Sequence, residues 1–483
     1  MPPQKPEITF ISPYEDITAY SVRLLSAVLR EQGYPTRIVF APSILEEGGS
    51  EQASLEKLAG EIRQVAAGSS LIGFSFFSCH LPFVAALSRE VKKRISTPLL
   101  WGGKHITAQP DDAAGYADMV CIGEGELSLT ALLQAVGNGG DPSSLAGIWP
   151  VRDGTVTKGL IASIVRDLDS LPFPDFSMEG HYLWDNSTLV ELSAPLMEEQ
   201  IRKSCRDKTL YYQTMASRGC SYSCSYCYHF KELYKGQHYL RKRSHGNVIE
   251  EVRSMLEKFP FFEEVCLSDD NFFSHDTAQL REFAALYREK IGKPLRCLAH
   301  PHEINREKLA ILTDAGLQEL QVGIQTGSRS TLKLYRRGPS PEKVLEAVAI
   351  VNEFKDRLTP YYDFIIDNPY EERKDVLETL RLITRFPRPY RLNVFSLTFF
   401  PGTELYGKAL RDGRIADSTK TWQFSGKSYL NFLFLHIFTR SFPQWLLRLL
   451  LSKPAVALLD NKPAASLLYS LKGFLKKTLH RAS

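Results

Sequence analysis

The first 136 residues alternate short apolar runs with amphipathic segments. Helical periodicity covers residues 20–32 and 56–67. The apolar run 71–77 is almost uninterrupted, as in a strand buried on both faces. Strands that alternate with helices indicate βα units and a parallel sheet, so we predict an N-terminal doubly wound α/β domain over residues 1–136. Its five predicted strands are residues 8–12, 36–40, 71–77, 99–101 and 118–122.

A second βα series follows after a stretch rich in turns. Residues 137–204 contain Gly-rich and Pro-rich turns and are interpreted as a linker with an irregular insertion. Residues 205–419 contain six strand patterns, too few to close an eight-stranded barrel. The predicted strands are 213–217, 264–268, 295–299, 319–324, 361–366 and 393–398, and the predicted helices are 245–258, 277–290, 306–315, 341–354 and 371–385.

Composition restricts the class of protein. A chain of 483 residues with 43% apolar and 24% charged residues is typical of a globular protein of two or three domains. Eight cysteines, three of them in one loop, do not form the pattern of a secreted disulfide framework. The N-terminus has no apolar core for a signal peptide, and no run approaches the 18 or so apolar residues of a spanning helix. We therefore expect a cytoplasmic protein.

Three cysteines form a C-x-x-x-C-x-x-C loop at Cys220, Cys224 and Cys227. Structural iron–sulfur and zinc sites use four protein ligands, so three thiolates would leave one iron of a four-iron cluster with an open position. An open position is where a metal acts on a bound molecule, which indicates an enzyme. The alternative is a zinc site with a distant fourth ligand, for which the candidates are Cys205, His229, Cys266 and His300.

The cysteine spacing resembles the signature of the radical S-adenosylmethionine (SAM) superfamily. The resemblance implies a six-stranded partial barrel, (βα)6, and a 4Fe-4S cluster whose open iron is chelated by the amino and carboxylate groups of SAM. One electron, from a reductant such as flavodoxin or ferredoxin, then cleaves the sulfonium and yields a 5'-deoxyadenosyl radical. Tyr226 matches the aromatic residue that packs near the adenine in this family.

The same resemblance implies further SAM-binding residues at the ends of predicted strands. Asp269 and Asp270 match the position that contacts the methionine amine, although an Asx turn capping a helix is an equal alternative. Gln325 and Ser328 match the stretch near the ribose and carboxylate. The stretch 334–338 offers an Arg fork for the methionine carboxylate through Arg336, with Arg337 beside it, although either arginine could instead be a solvated surface charge.

The N-terminal domain resembles the cobalamin-binding domain of a large radical SAM subfamily. The resemblance rests on two glycine-rich stretches after strands four and five, and it implies cobalamin contacts from Gly102, Gly103, His105, Gly123 and Glu124. The Asp-x-His-x-x-Gly motif that supplies a lower cobalt ligand is absent, because the loop after the first strand reads Asp16-Ile-Thr-Ala-Tyr-Ser. Cobalt would then be bound without a protein imidazole, or the domain has kept only its fold. His105 could equally be a satisfied polar residue at a strand end.

The C-terminal residues 420–483 form a basic tail. They contain ten Lys or Arg and one acid, a net charge of about +9, so the chain's total of +4 leaves about −5 for residues 1–419. Short apolar segments with helical spacing and basic rims favour helices lying on an anionic membrane surface. The alternative is that these helices close the barrel and their charges are solvated.

Together these features predict an enzyme that methylates an unactivated carbon of a small-molecule or lipid-like substrate. A cyclase, a rearrangement enzyme or a carbon–carbon bond-forming enzyme is the alternative, and a metal scaffold without turnover is a third. Methylthiolation of transfer RNA fits less well, because it needs three N-terminal cysteines and the first domain has only Cys79 and Cys121. No nucleic-acid partner is expected, and the tail would place the protein at the inner face of the membrane.

Overall fold

The computed structural model describes residues 5–42, 51–204, 209–415, 428–440 and 442–470. Cys205, one of the candidates for a fourth metal ligand, lies outside these ranges. So do six of the ten basic residues of the tail, namely Lys420, Lys427, Lys472, Lys476, Lys477 and Arg481.

The N-terminal sheet has nine strands. Its order is β7-β6-β5-β4-β3-β1-β2-β8-β9, with β1 at Ile8–Ser12, β2 at Thr36–Phe40, β3 at Leu71–Ser75, β4 at Leu99–Gly102, β5 at Met119–Cys121, β6 at Ile148–Arg152, β7 at Thr155–Val156, β8 at His181–Asp185 and β9 at Thr188–Glu191. The neighbours from β5 to β8 in this order pair in parallel. The five predicted strands are confirmed, and their order places the carboxyl ends of β1, β3, β4 and β5 along one edge.

Helices accompany this sheet, and the apolar runs of the strands form its core. The buried cluster includes Phe74 of β3, Trp101 of β4 and Val120 of β5, together with Leu58 and Leu87 from two helices. This arrangement explains why the strand sequences are almost continuously apolar. The helices are α1 Tyr20–Glu31, α2 Glu51–Val65, α3 Leu81–Lys92, α4 Lys104–Ala108, α5 Gly125–Gly137 and α6 Ala194–Ser204.

Residues 137–204 are more regular than predicted, because they contribute β6 to β9 and α6. Two hairpins account for the difference. Asp153 and Gly154 connect β6 to β7, and Asn186 and Ser187 connect β8 to β9, all four with positive φ. Positive φ at both central residues of a two-residue loop is the geometry that matches the twist of a hairpin. The short strands at these hairpins extend both edges of the sheet.

The second sheet has six strands in sequential order, β10-β13-β14-β15-β16-β17. These are β10 Tyr211–Thr214, β13 Glu264–Leu267, β14 Leu295–Ala299, β15 Leu317–Gln325, β16 Thr359–Ile366 and β17 Arg391–Ser396, while β11 Ser217–Arg218 and β12 Arg241–Lys242 form a separate hairpin. The strands from β14 to β17 pair in parallel. Six strands with intervening helices confirm the predicted (βα)6 partial barrel.

Side-chain caps fix the helix starts of this region. Ser244, Asp276, Asn305 and Ser340 each accept a hydrogen bond from the backbone N–H three residues later. The predicted bounds of three helices therefore agree with the structure. The helices are α7 His245–Lys258, α8 Thr277–Lys290, α9 Arg306–Ala315, α10 Arg329–Leu334, α11 Pro341–Asn352, α12 Arg373–Ile383 and α13 Glu404–Arg411.

The tail is helical, as predicted. It contains α14 Tyr429–Phe432, a π-helical segment Leu433–Phe438, α15 Gln444–Leu450 and α16 Lys453–Leu459, and residues 462–470 are also helical. Its buried side packs on the barrel: the Asn431 amide donates to Asp367 at 2.9 Å, and the rings of Phe434 and Phe364 are 5.6 Å apart. Among the described residues, none of the helices combines the length and hydropathy needed to cross a bilayer.

The chain divides into two compact units. The first comprises Met1–Gly219 and Tyr228–Val265, and the second comprises Cys220–Cys227 and Cys266–Ser483. The cysteine loop therefore belongs to the second unit, and the glycine-rich edge of the first sheet belongs to the first.

Candidate active site

Backbone and side-chain hydrogen bonds hold the cysteine loop in place. The Ser225 N–H donates to the Tyr335 carbonyl at 2.9 Å and its hydroxyl donates to the Leu334 carbonyl at 2.7 Å. The Leu405 N–H donates to the carbonyl of Ser225 at 2.8 Å. The loop is thus fastened to the end of α10 and to the start of α13, which fixes it without using any cysteine sulfur.

The three sulfurs differ in accessibility. Cys224 is buried, Cys220 is half-buried and Cys227 is exposed. Within the described ranges, no three His, Cys, Asp or Glu side chains gather as they would around a single metal ion. A cubane cluster binds each cysteine through a different iron, so it does not require the sulfurs to meet at one point. The donor set therefore suits a cluster better than the zinc alternative with His229, Cys266 or His300.

Arg337 is the cationic residue that meets this loop. Its Nη1 donates to the Tyr226 hydroxyl at 3.0 Å and to the Cys224 sulfur at 3.5 Å, and its Nη2 donates to the Gly323 carbonyl. Arg336, which sequence analysis placed at the methionine carboxylate, points the other way. Its side chain is 62% exposed and pairs with Glu404 at 2.7 Å.

Backbone conformation explains the separation of the two arginines. Arg336 has φ +48°, a left-handed conformation that ends α10, and the N–H of Arg337 donates back to the Leu332 carbonyl at 3.0 Å. This position is usually glycine, so the sequence carries no signal of the turn. The structure therefore replaces Arg336 with Arg337 as the residue beside the loop.

Gly323 and Gln325 lie next to Arg337 at the end of β15. A Cβ at Gly323 would be 2.8 Å from Gln325 Nε2 and 3.0 Å from Arg337 Nη2, so a side chain there would push both groups away. Gln325 has φ +74°, which is uncommon for a residue other than glycine. The predicted residue Gln325 is thus brought to the site.

Tyr226 also lies at this site, and its ring packs edge-on against Tyr335 at 4.8 Å. Of the two predicted aspartates, Asp269 is fully buried and Asp270 is exposed. Asn271, next in the chain, is 4% exposed, and its Oδ1 accepts the His300 N–H at 3.1 Å. That bond orients the amide, and its Nδ2 has no hydrogen-bond partner among the described residues.

His300 adds a second buried donor. Its ring stacks on Tyr222 of the cysteine loop with centroids 3.8 Å apart, and its Nδ1 accepts the His302 N–H at 3.3 Å. Burial, together with the charge of Arg337, lowers the pKa of His300 to about 2, so the ring is neutral and its proton is on Nε2. Within the described part of the chain, neither this Nε2 nor the Nε of Arg337 has a hydrogen-bond partner.

In the described part of the second unit, the buried donors without a hydrogen-bond partner include those on Asn271, His300 and Arg337, and also Arg388 Nε and the Tyr390 hydroxyl. Buried polar groups in native proteins are nearly always hydrogen-bonded, and unmatched ones at a site indicate a missing partner. The carboxylate of an amino acid offers acceptor oxygens of the kind that such donors need. Sequence reasoning named His300 only as a metal ligand, named Arg337 only as one of two arginines that could meet the carboxylate, and missed the donor on Asn271.

Ser328 does not point to this site. Its side chain is fully buried, and its hydroxyl donates to Asp375 at 2.6 Å and lies 2.9 Å from the Ser330 hydroxyl. Thr326 accepts the N–H of Ser328 in the same cluster. Ser328 thus organises the start of α10 through Asp375 and Ser330, and the cofactor contact that the resemblance implied stays a prediction.

In the first unit, the predicted cobalamin residues lie at the carboxyl edge of β4 and β5. Gly102 ends β4, while Gly103, with φ +93°, and Gly123, with φ +82°, form half-buried turns. A Cβ at Gly103 would lie 2.6 Å from the backbone N of Phe76. The two turns are tied together because Thr107 accepts the Gly123 N–H at 3.0 Å and donates to the Gly103 carbonyl.

His105 and Glu124 support this edge instead of presenting free polar groups. His105 is buried, with Nδ1 2.8 Å from the Ser78 hydroxyl and Nε2 3.1 Å from Asp112. Arg218 and Arg241 both pair with the Glu124 carboxylate. The alternative noted for His105, a satisfied polar residue, fits these contacts, and the glycine turns remain the part of the edge that a ligand could approach.

Substituting Gly123 tests how tightly this edge is built. A Cβ there would lie 2.0 Å from the Tyr234 hydroxyl, which also accepts the Glu124 N–H at 2.7 Å. Gly154 has a similar φ, +71°, with nothing within 4 Å of the Cβ position. Both alanines incur about 1 kcal/mol of backbone strain, so Gly123→Ala should lower the urea midpoint of the first unit and weaken cobalamin binding more than Gly154→Ala does. Equal effects would contradict this packing.

An aromatic group at the ends of β1 and β3 was missed by sequence reasoning. The Tyr14 ring packs edge-on against Phe77 at 5.4 Å and His80 at 4.9 Å, and Lys104 lies over the Phe77 ring. Phe77 is one of the exposed large apolar residues. These side chains extend the candidate ligand edge beyond the glycine turns.

Comparison with known families agrees with both halves of this description. The Radical SAM superfamily matches residues 215–383 and the B12 binding domain matches residues 6–133. The three cysteines lie in the first match and the glycine turns in the second. The chain therefore carries a B12-binding domain followed by a radical SAM domain. The predicted 4Fe-4S, SAM and cobalamin cofactors follow from these two domains and are confirmed at the level of the family.

Two curated relatives are named methyltransferases. The uncharacterized methyltransferase PH0819 of Pyrococcus horikoshii is 22% identical over 343 residues, which cover 70% of this chain and 68% of that protein. The bacteriochlorophyllide d C-8(2)-methyltransferase of Chlorobaculum tepidum is 23% identical over 347 residues, which cover 68% and 66%. A tRNA-2-methylthio-N(6)-dimethylallyladenosine synthase of Moorella thermoacetica is 24% identical, but over only 44% of this chain and 48% of that one.

Solved structures share the fold. The cobalamin-dependent radical enzyme OxsB with aqua-cobalamin bound has a TM-score of 0.68 and 15% identity, covering 98% of this chain and 75% of that one. The methyltransferase TsrM of Kitasatospora setae, with tryptophan and a SAM analogue bound, has a TM-score of 0.65 and 15% identity, covering 84% of this chain and 76% of that one. The predicted fold class is therefore confirmed.

Proposed function

We propose that the protein is a cobalamin-dependent radical SAM methyltransferase acting on a small molecule with apolar character. The observation that carries this proposal is the cysteine loop in a chain that also has a B12-binding fold. The loop is held by hydrogen bonds that use no cysteine sulfur, and Arg337, His300 and Asn271 each carry a buried donor that is unmatched among the described residues. When bound, the cluster supplies the electron that cleaves SAM, and cobalamin supplies the methyl group. The names of two relatives support methyl transfer over cyclisation or rearrangement.

The residues of the second unit suit the parts of SAM. Cys220, Cys224 and Cys227 would hold the cluster. The donors on Arg337, His300 and Asn271 would bind the methionine carboxylate, because a carboxylate can satisfy several N–H groups at once.

The remaining groups of SAM would meet residues named by sequence. Tyr226 would lie beside the adenine, and Gln325 would contact the ribose. Asp269 and Asp270 stay candidates for the methionine amine. Exposed Cys227 would be the point nearest to a reductant protein of the flavodoxin or ferredoxin type.

Product analysis tests this function. Anaerobically reconstituted protein would be incubated with SAM, cobalamin, dithionite and candidate extracts, and nucleosides would be quantified by mass spectrometry. Methylation predicts S-adenosylhomocysteine and 5'-deoxyadenosine in equal amounts. Deoxyadenosine alone would favour the cyclase or rearrangement alternative. Absence of SAM cleavage would contradict an enzyme and favour a metal scaffold without turnover.

Membrane contact through the tail is the second part of the proposal. Trp445, Leu449, Leu458 and Leu467 are each more than half exposed, and the exposed charges beside them are Arg448, Lys453 and Lys462. The acid Asp460 is mostly buried and pairs with Arg373 at 2.7 Å. Apolar groups with basic neighbours suit an anionic bilayer surface.

Replacing the exposed apolar side chains tests this contact. The triple change Trp445→Ser, Leu449→Ser and Leu458→Ser should reduce partition onto anionic liposomes at least about tenfold, because each large apolar side chain contributes on the order of 1 kcal/mol or more. Leu127→Ser with Leu160→Ser, at exposed positions of the first unit, is the matched control. Unchanged partition of the triple variant in a sedimentation assay would refute membrane contact.

A further inference from the structure

The two faces of β16 differ in chemistry. Tyr362 and Phe364 on one face are buried, and both rings pack near Phe386. Asp363, between them, points to the opposite face of the sheet because side chains alternate along a strand. A carboxylate at this position is not explained by the apolar packing of the strand.

Two neutral amides hold the Asp363 carboxylate. Gln321 Nε2 on β15 donates to Oδ2 at 2.8 Å, and Asn393 Nδ2 on β17 donates to Oδ1 at 2.9 Å. The cross-strand partner of Asp363 on β15 is Gly323, whose carbonyl accepts from Arg337. The carboxylate therefore lies beside the part of the barrel that meets the cysteine loop.

The amides do not satisfy this carboxylate completely. Asp363 is 7% exposed, and burial raises its pKa to about 6, partly offset by the two amides and by the charge of Arg337. Above about pH 7 the group is charged, and an ionised carboxylate has about four acceptor positions. Two donated hydrogen bonds leave acceptor capacity for a ligand, and a partly buried charge is stabilised by a further donor.

The neighbouring polar residues toward the amino ends of the strands already satisfy one another. Arg296 pairs with Glu319 at 3.5 Å, the Tyr361 hydroxyl donates to Glu319 at 3.3 Å, and Arg391 donates to the Tyr361 hydroxyl at 3.1 Å. This network spans β14 to β17 and closes the amino-terminal end of this face with paired polar groups. Asp363 lies between this network and the cysteine loop, and its carboxylate can accept further hydrogen bonds.

We propose that Asp363 is a specificity-determining residue that binds a hydroxyl or amine of the substrate, with Gln321 and Asn393 holding its carboxylate in position. The proposal rests on the proposed function, since it places the substrate inside the barrel near the SAM site. It deepens that function by requiring that the substrate present a hydrogen-bond donor, a hydroxyl or an amine, to the interior of the barrel. Carboxylates and phosphates are excluded at this point because they would face a like charge.

Four probes with the same tail and different polar ends test this inference. Octylamine, octan-1-ol, octanoate and octyl phosphate would be titrated into the full-length protein without SAM, and binding would be measured by equilibrium dialysis. Wild-type protein should bind octylamine and octanol at least about tenfold more tightly than the two anions, the effect expected of one hydrogen bond to a buried charge.

Two variants separate charge from packing. Asp363→Asn keeps the shape of the side chain. It should lower the affinity for octylamine at least about tenfold and raise the affinity for octanoate to a value close to that for octanol. Asn393→Ala removes one of the two amides that position the carboxylate but keeps its charge, so it should weaken octylamine binding clearly less than Asp363→Asn does and keep octylamine ahead of octanoate. If Asp363→Asn fails to fold, as judged by far-ultraviolet circular dichroism, the order in which wild-type protein binds the four probes decides.

The inference is overturned if wild-type protein binds octanoate as tightly as octylamine, if Asp363→Asn leaves the order of the probes unchanged, or if Asn393→Ala weakens octylamine as much as Asp363→Asn does. Failure of the proposed function would look different. It would be the absence of SAM cleavage by reconstituted wild-type protein, a measurement that does not involve these probes.

Discussion

Cys224→Ser protein, reconstituted with iron and sulfide under anaerobic conditions, is expected to lose both its 4Fe-4S cluster and all detectable cleavage of SAM. The cluster has three protein ligands, so removal of one leaves two irons without a thiolate. Cys224 is also the buried member of the set, and its sulfur lies 3.5 Å from Arg337. Serine cannot offer a thiolate to iron, whereas the loop itself keeps its hydrogen bonds through Ser225.

Cys266→Ser is the control for this result. Cys266 lies on β13 with its sulfur 3.4 Å from the Ser268 hydroxyl, and it was one of the possible fourth ligands of a zinc site. The account predicts full iron content and normal SAM cleavage in this variant. Iron analysis, visible absorption and deoxyadenosine formation would be measured on both proteins. Equal loss of iron and of SAM cleavage in both variants would support a site with four protein ligands and would contradict an iron with an open position.

The second large effect is expected for Arg337→Ala. The guanidinium contacts Cys224, Tyr226 and the Gly323 carbonyl and keeps one buried N–H for a ligand. Loss of a charge-assisted hydrogen bond costs about 1.5–3 kcal/mol, so SAM affinity should fall by about 10- to 150-fold. Arg337→Lys should rescue only part of this affinity, because one ammonium cannot replace the planar fork.

Arg336→Ala is a matched control one residue away. Its side chain is 62% exposed and its ion pair with Glu404 is worth at most about 1 kcal/mol. SAM binding, measured by equilibrium dialysis with the labelled cofactor, should change less than about threefold. If Arg336→Ala weakened SAM binding as much as Arg337→Ala did, Arg337 would not be the residue that binds the methionine carboxylate.

The sequence predicted most of the fold because its signals are local. Capping residues such as Ser244 and Asp276 mark helix starts within three residues, and apolar runs mark the buried strands. The hairpin at Asp153-Gly154 was missed although this dipeptide is a strong turn signal. The bounds of the strands around Asn186 and Ser187 were not predicted, because that pair is a weaker signal. The short strands were consequently interpreted as irregular structure.

The site was predicted less completely, because its residues are far apart in the sequence and are brought together only by the fold. The cysteine spacing is a strong local pattern, and Gln325 and Tyr226 were found with it. The sequence could not distinguish Arg337 from Arg336, because that choice depends on a left-handed arginine where glycine is usual. Nor could it show that Asp375, 47 residues further along the chain, takes the hydroxyl of Ser328.

The most direct test of the account is electron paramagnetic resonance of the dithionite-reduced, reconstituted wild-type protein with and without SAM. The account predicts the signal of a reduced 4Fe-4S cluster that changes when SAM is added, since SAM would bind the iron that lacks a cysteine. Protein that contains zinc in place of the cluster, or a cluster whose signal SAM does not alter, would contradict it.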